Sequence, residues 1–440
     1  MVKRLCVLMN GELVGFFERT MSGSHLFRYA DEWFLSPNVR PISLSMPLRR
    51  EVYQGKEVIN FFDNLLPDHP QVRARIAARF QADTQQPFEL LAKIGRDATG
   101  AITLLEENTK IPNHKVIHAT ELNEKELHSL LLGYRQNAPL GMLDEAQDFR
   151  ISIAGAQEKT ALLWYNERWQ LPHGLTPTTH IIKLPIGKIQ TPKYQLDLSQ
   201  SVDNELICLR LCAAFGLPSA NVNLLEVGDV RALVVERFDR KLHSSNQYFL
   251  RLPYEDFCQV FGLAPTQKYE SDGGVGIRHI MDKLLYSNQI SDRTQFMRTQ
   301  FLFWVLGAID GHAKNFSIAL KSQSRYHLSP IYDVISAYPM LGGKGWHQSD
   351  LQLAMSLCST QKGKKWSWQK IRPVHYLSTA KSVGFNQLEM KHIIEEISDT
   401  ALRKLDFVAD RLPININEQV RDQIFNGVKK QIGKIKLDNI

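Results

Sequence analysis

The stretch Trp304-Val305-Leu306-Gly307-Ala308-Ile309-Asp310-Gly311-His312-Ala313-Lys314-Asn315-Phe316 constrains this chain more than any other. Its apolar half predicts a buried helix that ends in a polar loop. The loop carries Asp310, four intervening residues, and then Asn315. Eighteen residues further on, Leu328-Ser329-Pro330-Ile331-Tyr332-Asp333-Val334 sets a second acid, Asp333, behind an extended, proline-led segment. A short loop between rigid elements fixes side chains at defined positions, so the chemistry of these three residues decides what the fold is for.

That spacing fits phosphoryl transfer from a nucleotide. The Asp310 carboxylate would accept the hydroxyl proton of the acceptor. The Asn315 carbonyl and the Asp333 carboxylate would hold a magnesium ion, which prefers oxygen ligands and bridges nucleotide phosphates. Lys314 is placed to neutralise charge on the transferring group. Taken alone, Asp310 and Asn315 also fit a helix-capping acid followed by a turn amide, and Asp333 fits a loop acid at a strand end. Together they favour a kinase.

Three upstream features complete a nucleotide site. Ser152-Ile153-Ala154-Gly155-Ala156-Gln157-Glu158-Lys159 is a small-residue loop before an apolar strand, Thr160 to Trp164. Small side chains let backbone N–H groups approach phosphate oxygens, but a tight β-turn fits the same residues, and both readings stand. A Walker loop is excluded, because no glycine precedes Lys159 and the spacing is short. Next, His180-Ile181-Ile182-Lys183-Leu184 places a cation inside an apolar strand, where it needs a partner. The α- and β-phosphates of ATP would supply one, and Glu205, on a helix beginning near Ser201, would orient it; an exposed edge strand is the competing reading. Finally, Ala232 to Phe238 reads as a buried strand ending in a polar turn. Glu236 and Phe238 lie two apart, so their backbone groups face the same way and suit an adenine edge, although a strand end without a ligand is the commoner case.

A chain of 440 residues is too long for one average core. The expected division is an N-terminal subdomain over 1–110, a strand-rich ATP-binding lobe over 111–240 and a helical catalytic lobe over 241–440. Asn10-Gly11 between two apolar runs predicts a hairpin, because both turn positions need positive φ. Helices are expected over Val58–Leu66, Gln71–Phe80 and Glu124–Tyr134, a turn and short strand around Ile94–Ala101, and a linker over Glu106–Lys115. Strands should dominate to about Val235 and helix beyond it. This pattern predicts an α+β, two-lobed fold, which many enzymes share.

Hydrophobic residues at 43% and charged residues at 22% argue for a folded chain rather than a disordered one. No apolar run approaches the ~20 residues of a spanning helix, and the first one stops at Asn10-Gly11, so a soluble cytoplasmic protein without a signal peptide is expected. The five cysteines are scattered. Cys208 and Cys212 read as small buried side chains, and reduced thiols fit that compartment. The 14 histidines show no ligand spacing, which argues against a transition metal.

Several segments together resemble one family, the HipA protein kinases of toxin–antitoxin systems. They are FFDNLLPD from Phe61, IGRDATGA from Ile94, FRISIAGAQEKTAL from Phe149, TPTTHIIKLP from Thr176, LSQSVDNE from Leu198, VERFDR from Val235, KYESDGGVG from Lys268, DGHAKNFS from Asp310 and SPIYDVISA from Ser329. They run in order over nearly the whole chain. The resemblance implies a fold akin to lipid kinases with an extra N-terminal subdomain. It implies Ser/Thr phosphorylation of a translation-related protein such as an aminoacyl-tRNA synthetase, leading to growth arrest and persistence. It also implies neutralisation by a small helix-turn-helix antitoxin, HipB, with which the kinase represses its own operon. Carried onto these residues, Asp310 is the base, Asn315 and Asp333 the magnesium ligands, and Lys183 a phosphate contact. Ala154, Gly155, Ala156, Gln157, Glu158 and Lys159 form the phosphate loop, while Glu236 and Phe238 bind adenine. His312 and Tyr332 join the ATP-binding set, although His312 serves equally well as loop support. Ser152 matches an inactivating autophosphorylation position that expels the phosphate loop. The sequence departs from ordinary protein kinases in lacking GxGxxG and in following Asp333 with Val334, which leaves the loop geometry open.

The surplus of 53 Lys+Arg over 46 Asp+Glu, +7 in all, suits a basic surface as well as a nucleic-acid partner. Lys362, Lys364, Lys365, Lys370 and Arg372 cluster around Trp366 and Trp368, and Lys429, Lys430, Lys434 and Lys436 form a second run. Either could touch DNA phosphates beside an antitoxin, or be a solvated face. Two other functions remain compatible with the residues: a small-molecule phosphotransferase of the antibiotic-modifying kind, and a DNA-bound co-repressor with a vestigial kinase site.

Overall fold

The computed structural model describes residues 3–135, 159–190, 193–359 and 363–437. They form two compact units: Met1–Leu184 with Leu225–Gln267 and Ser317–Tyr326, and Pro185–Leu224 with Lys268–Phe316 and His327–Ile440.

The first unit begins with a four-stranded antiparallel sheet ordered His25–Tyr29, Glu12–Arg19, Lys3–Met9 and Ile102–Glu106. Asn10 and Gly11 make its first turn with φ of 45° and 81°, the left-handed pair that matches strand twist in a two-residue hairpin. Helices Lys56–Asp63, Pro70–Arg79 and Pro87–Ile94 follow, the latter two opening on a proline at N1. Helix Glu124–Arg135 also forms as expected, and Glu107–His118 contains neither helix nor strand.

A second sheet is ordered Val222–Val227, Val230–Glu236, His180–Lys183, Lys159–Tyr165, Arg168–Pro172 and Ala119–Glu121. Its strand His180–Lys183 is flanked on both sides, so Lys183 is not on an edge. A single hydrophobic core joins the two sheets, with Val7, Phe17, Phe27 and Phe62 continuous with Leu131, Leu162, Ile182 and Ala232.

Beneath this core lies a buried ionic cluster. Asp97 accepts hydrogen bonds from Arg240 and Arg251 at 3.0 Å each and from the Thr178 hydroxyl at 2.7 Å. Asp239 accepts from Arg237 at 2.8 Å and from the Gly100 N–H at 2.8 Å. All five charged groups are buried. Burial alone would raise the Asp239 carboxyl, but the Arg237 and Arg240 guanidiniums outweigh it and hold it below the usual range. Burial and the neighbouring Arg237 push Arg240 down to about 10.

The second unit is built on helices Ser201–Ala214, Asp292–Leu306, Pro373–Ser382, Gln387–Ala409 and Glu418–Leu437. The C-terminal end of Asp292–Leu306, from Phe301 to Leu306, is apolar and buried on every side, as the core of a central helix must be. Trp304 and Trp368 lock it reciprocally: each indole N–H donates to the other's carbonyl, at 3.1 and 2.9 Å. Phe301, Phe303 and Cys208 and Cys212 are buried core residues, as expected.

Helix dominates after Val235, as expected, but short strands are interspersed. Arg240–Leu242, Phe249–Arg251, Tyr254–Asp256, Ser317–Leu320, Gln352–Cys358 and Lys364–Ser367 are strands. Most span only three or four residues, too few to display alternation. Trp368 is no part of a basic surface patch, since its ring is buried against Trp304 and Tyr338. Lys362 lies outside the described residues.

Candidate active site

The central helix delivers the acid loop. It stops because Gly307 takes a left-handed conformation, φ 64°, and its N–H closes onto Phe303 and Trp304 carbonyls. Ala308 and Ile309 then lead to Asp310. A Cβ on Gly311 would fall 2.8 Å from the Phe303 ring, so only glycine lets the backbone pass this close. The His312 N–H donates to the Asp310 carbonyl at 2.8 Å and the Asn315 N–H to the His312 carbonyl at 2.9 Å. These bonds wind Ala313–Asn315 into a short 3-10 turn.

Asn315 and Asp333, separated by eighteen residues, meet. The Asn315 amide donates to the Asp333 carboxylate at 3.3 Å and to its carbonyl at 3.4 Å. Its carbonyl oxygen Oδ1 is buried with no hydrogen-bond partner, a costly state unless something else ligates it. Asp333 has φ 59°, a left-handed conformation that few residues other than glycine adopt and that concentrates at functional sites. The extended segment before it is anchored on both sides: the Ile331 N–H donates to Pro218 at 2.7 Å, and its carbonyl accepts from Ala220 at 2.8 Å. Tyr332 ties the two halves together by donating its hydroxyl to the Lys314 carbonyl at 2.8 Å.

His312 is buried, and its Nδ1 has no hydrogen-bond partner. Burial pushes its pKa below the usual range despite the pull of Asp310 and Asp333. The ring is therefore neutral at pH 7. The ring lies nearly perpendicular to that of Tyr269, with centroids 5.0 Å apart. The Tyr269 hydroxyl donates to Asp310 Oδ1 at 2.7 Å, a contact that motif spacing did not reveal.

The first unit holds Lys159, Lys183, Glu236 and Phe238. Lys159 and Lys183 are cross-strand partners, and each is only 7% exposed. Glu236, exposed, ends its strand opposite His180, and Phe238 packs on Tyr254 with centroids 5.1 Å apart. Glu205 is buried on helix Ser201–Ala214 of the second unit. Ser152, Ala154, Gly155, Ala156, Gln157 and Glu158 lie outside the described residues.

Comparison with known proteins places this arrangement in a family. Residues 151–405 match the HipA-like C-terminal domain and residues 5–105 the HipA N-terminal domain. The chain belongs to the HipA family. A protein of Sinorhizobium fredii designated a candidate kinase, Y4mE, is 32% identical over 353 residues, covering 78% of this chain and 80% of the relative. The serine/threonine-protein kinase toxin HipA of Shewanella oneidensis is 27% identical over 343 residues, covering 75% and 73%. The fold matches HipA in a solved complex of Shewanella oneidensis HipA, HipB and operator DNA, with a TM-score of 0.80 at 21% identity and coverage of 98% and 97%. Among the described residues, no helix is long and apolar enough to cross a membrane.

Proposed function

We propose that this chain is the toxin of a toxin–antitoxin pair, a Mg-ATP-dependent kinase that phosphorylates Ser or Thr in a translation-related protein of the aminoacyl-tRNA synthetase class. The observation that carries the reading is the Asn315–Asp333 pair: a buried amide oxygen without a partner beside a carboxylate held in a left-handed conformation. Two oxygen ligands suit Mg2+, which keeps its other positions for water and phosphate. Magnesium would supply charge neutralisation for the phosphates there. Asp310 takes the proton of the acceptor hydroxyl as the new O–P bond forms and the bond to the β-phosphate breaks. Lys314 meets the charge of the moving group. Lys159 and Lys183 are suited to the remaining phosphates, with Glu236 and Phe238 at the adenine edge.

Membership in the HipA family and the likeness to a HipA chain solved with HipB and operator DNA support the wider assignment. A HipB-like antitoxin neutralises the kinase and recruits it to the operator, where the complex represses its own expression. Unchecked activity in the cytoplasm arrests growth and yields persistence. Autophosphorylation at Ser152 shuts the enzyme off.

Incubating the purified chain with Mg-ATP, beside Asp310→Gln, and mapping phosphate by mass spectrometry tests this. Phosphate on Ser152 in the native chain alone is the expected result. Absence of phosphate in both, with ATP bound, would remove the kinase assignment.

A further inference from the structure

A loop over Lys268–Gly276, in the sequence segment KYESDGGVG, lies along the Asp310 loop and is tied to it at three points. The Lys268 carbonyl accepts the Ala313 N–H at 3.1 Å. The Tyr269 ring packs against His312 in a nearly perpendicular pair. The Tyr269 hydroxyl donates to Asp310 Oδ1 at 2.7 Å. The loop is itself held from behind: Glu270 accepts the Ser356 N–H at 2.6 Å, the Ser356 hydroxyl at 3.0 Å and the Lys364 ammonium at 2.7 Å. The Gly274 N–H closes back on the Tyr269 carbonyl at 3.0 Å, after Gly273 turns at φ 87°.

Asp310 itself is exposed at the end of its loop, and a free carboxylate there would rotate about χ1 and χ2. A base must sit within hydrogen-bond reach of the proton it takes. With Oδ1 committed to the phenol, Oδ2 is left to face an acceptor.

We infer that Tyr269 is a positioning residue that fixes the Asp310 carboxylate with Oδ2 presented to the acceptor hydroxyl. This rests on Asp310 being the base. Tyr269 donates no proton to substrate and takes none; it acts through Asp310 alone. The contacts of Lys268 and Glu270 keep the loop in place without the phenol oxygen, so Tyr269→Phe removes the hydrogen bond to Asp310 and leaves that anchoring intact.

The test uses the full chain and Mg-ATP with water as acceptor, reading phosphate release in four proteins: native, Tyr269→Phe, Asp310→Asn and the double variant. Binding of an N-methylanthraniloyl ATP analogue is measured on each. Tyr269→Phe should slow turnover about tenfold, part of the ~10²–10⁴ that a positioned base contributes, with nucleotide affinity unchanged. In the Asp310→Asn background it should change nothing further, since residues acting as a unit are not additive. Equal slowing in both backgrounds, lost nucleotide binding, or native turnover in Tyr269→Phe would each overturn the inference. Full turnover in Asp310→Asn would instead remove Asp310 as the base, and no turnover in the native chain would remove the kinase reading; either takes the role of Tyr269 with it.

Discussion

The Asn315 amide donates to both the carboxylate and the carbonyl of Asp333, at 3.3 and 3.4 Å, while its own buried Oδ1 has no hydrogen-bond partner. This one contact orients two oxygens that differ in charge and come from separate elements. Oxygens of this kind are what a hard cation such as Mg2+ takes as ligands.

Replacing Asn315 with Ala, or Asp333 with Asn, should therefore raise the Mg2+ requirement for phosphoryl transfer. Changes to outer-shell groups alone cost roughly 10–100-fold in metal affinity, and loss of a ligand should cost at least that. Asn tolerates the left-handed conformation that Asp333 adopts, so Asp333→Asn should leave the melting temperature nearly unchanged. Magnesium titrations of ATP turnover, with thermal melts alongside, check both statements. Equal magnesium dependence in native and variant chains would exclude the pair as ligands.

The buried cluster gives a stability prediction independent of activity. Removing one partner from a buried ion pair leaves an uncompensated charge and costs about 3–5 kcal/mol. Asp97 serves Arg240, Arg251 and Thr178 together, so Asp97→Asn should fall in that range by urea unfolding. A loss below about 1 kcal/mol would place it with exposed pairs.

Much of the site was legible as linear spacing. Asp310, Asn315 and Asp333 stand at intervals that a short loop and an anchored segment impose, and the last two do meet. Lys183 declared itself as a lone cation in an apolar strand, and Asn10-Gly11 as a turn. The rest needed the third dimension. Tyr269 reaches Asp310 across 41 residues of chain, and no periodicity marks that distance. The partners of Asp97 lie 81 to 154 residues away, so VERFDR and IGRDATGA show charges but not their pairing. Trp368 sits amid lysines, which suggests a surface, yet its indole finds a carbonyl on the central helix.

Stability should also fall with acid in a defined direction. Burial lowers the pKa of His25, His114, His180 and His375 in the folded chain. A histidine whose folded pKa lies below its unfolded value of ~6.5 leaves the unfolded state binding more protons in between. The stability associated with neutral burial is then complete above about pH 6.5 and declines as pH drops toward the folded values. Urea midpoints at pH 7.5 should exceed those at pH 5.5, and His180→Gln should flatten part of that slope. A midpoint that rises on acidification would contradict the sign.

The close passage at Gly311 makes the sharpest demand. An added Cβ would lie 2.8 and 2.9 Å from two carbons of the Phe303 ring, nearer than real contacts allow. That ring is buried on the central helix and lies near Phe316, centroids 5.9 Å apart, so it has little room to swing aside. In Gly311→Ala the loop must move instead, and overpacking of this kind costs about 1–3 kcal/mol. Asp310 is the adjacent residue, so the shift should displace its carboxylate from the position that Tyr269 sets. The expected outcome is a lower melting temperature and a large fall in ATP turnover, with binding of the fluorescent nucleotide retained. Phe303→Leu in the same chain opens space where the methyl group points and should recover part of both losses. If Gly311→Ala matches the native chain in melting and turnover, the backbone is not held against Phe303, and the loop owes its geometry to its internal hydrogen bonds alone.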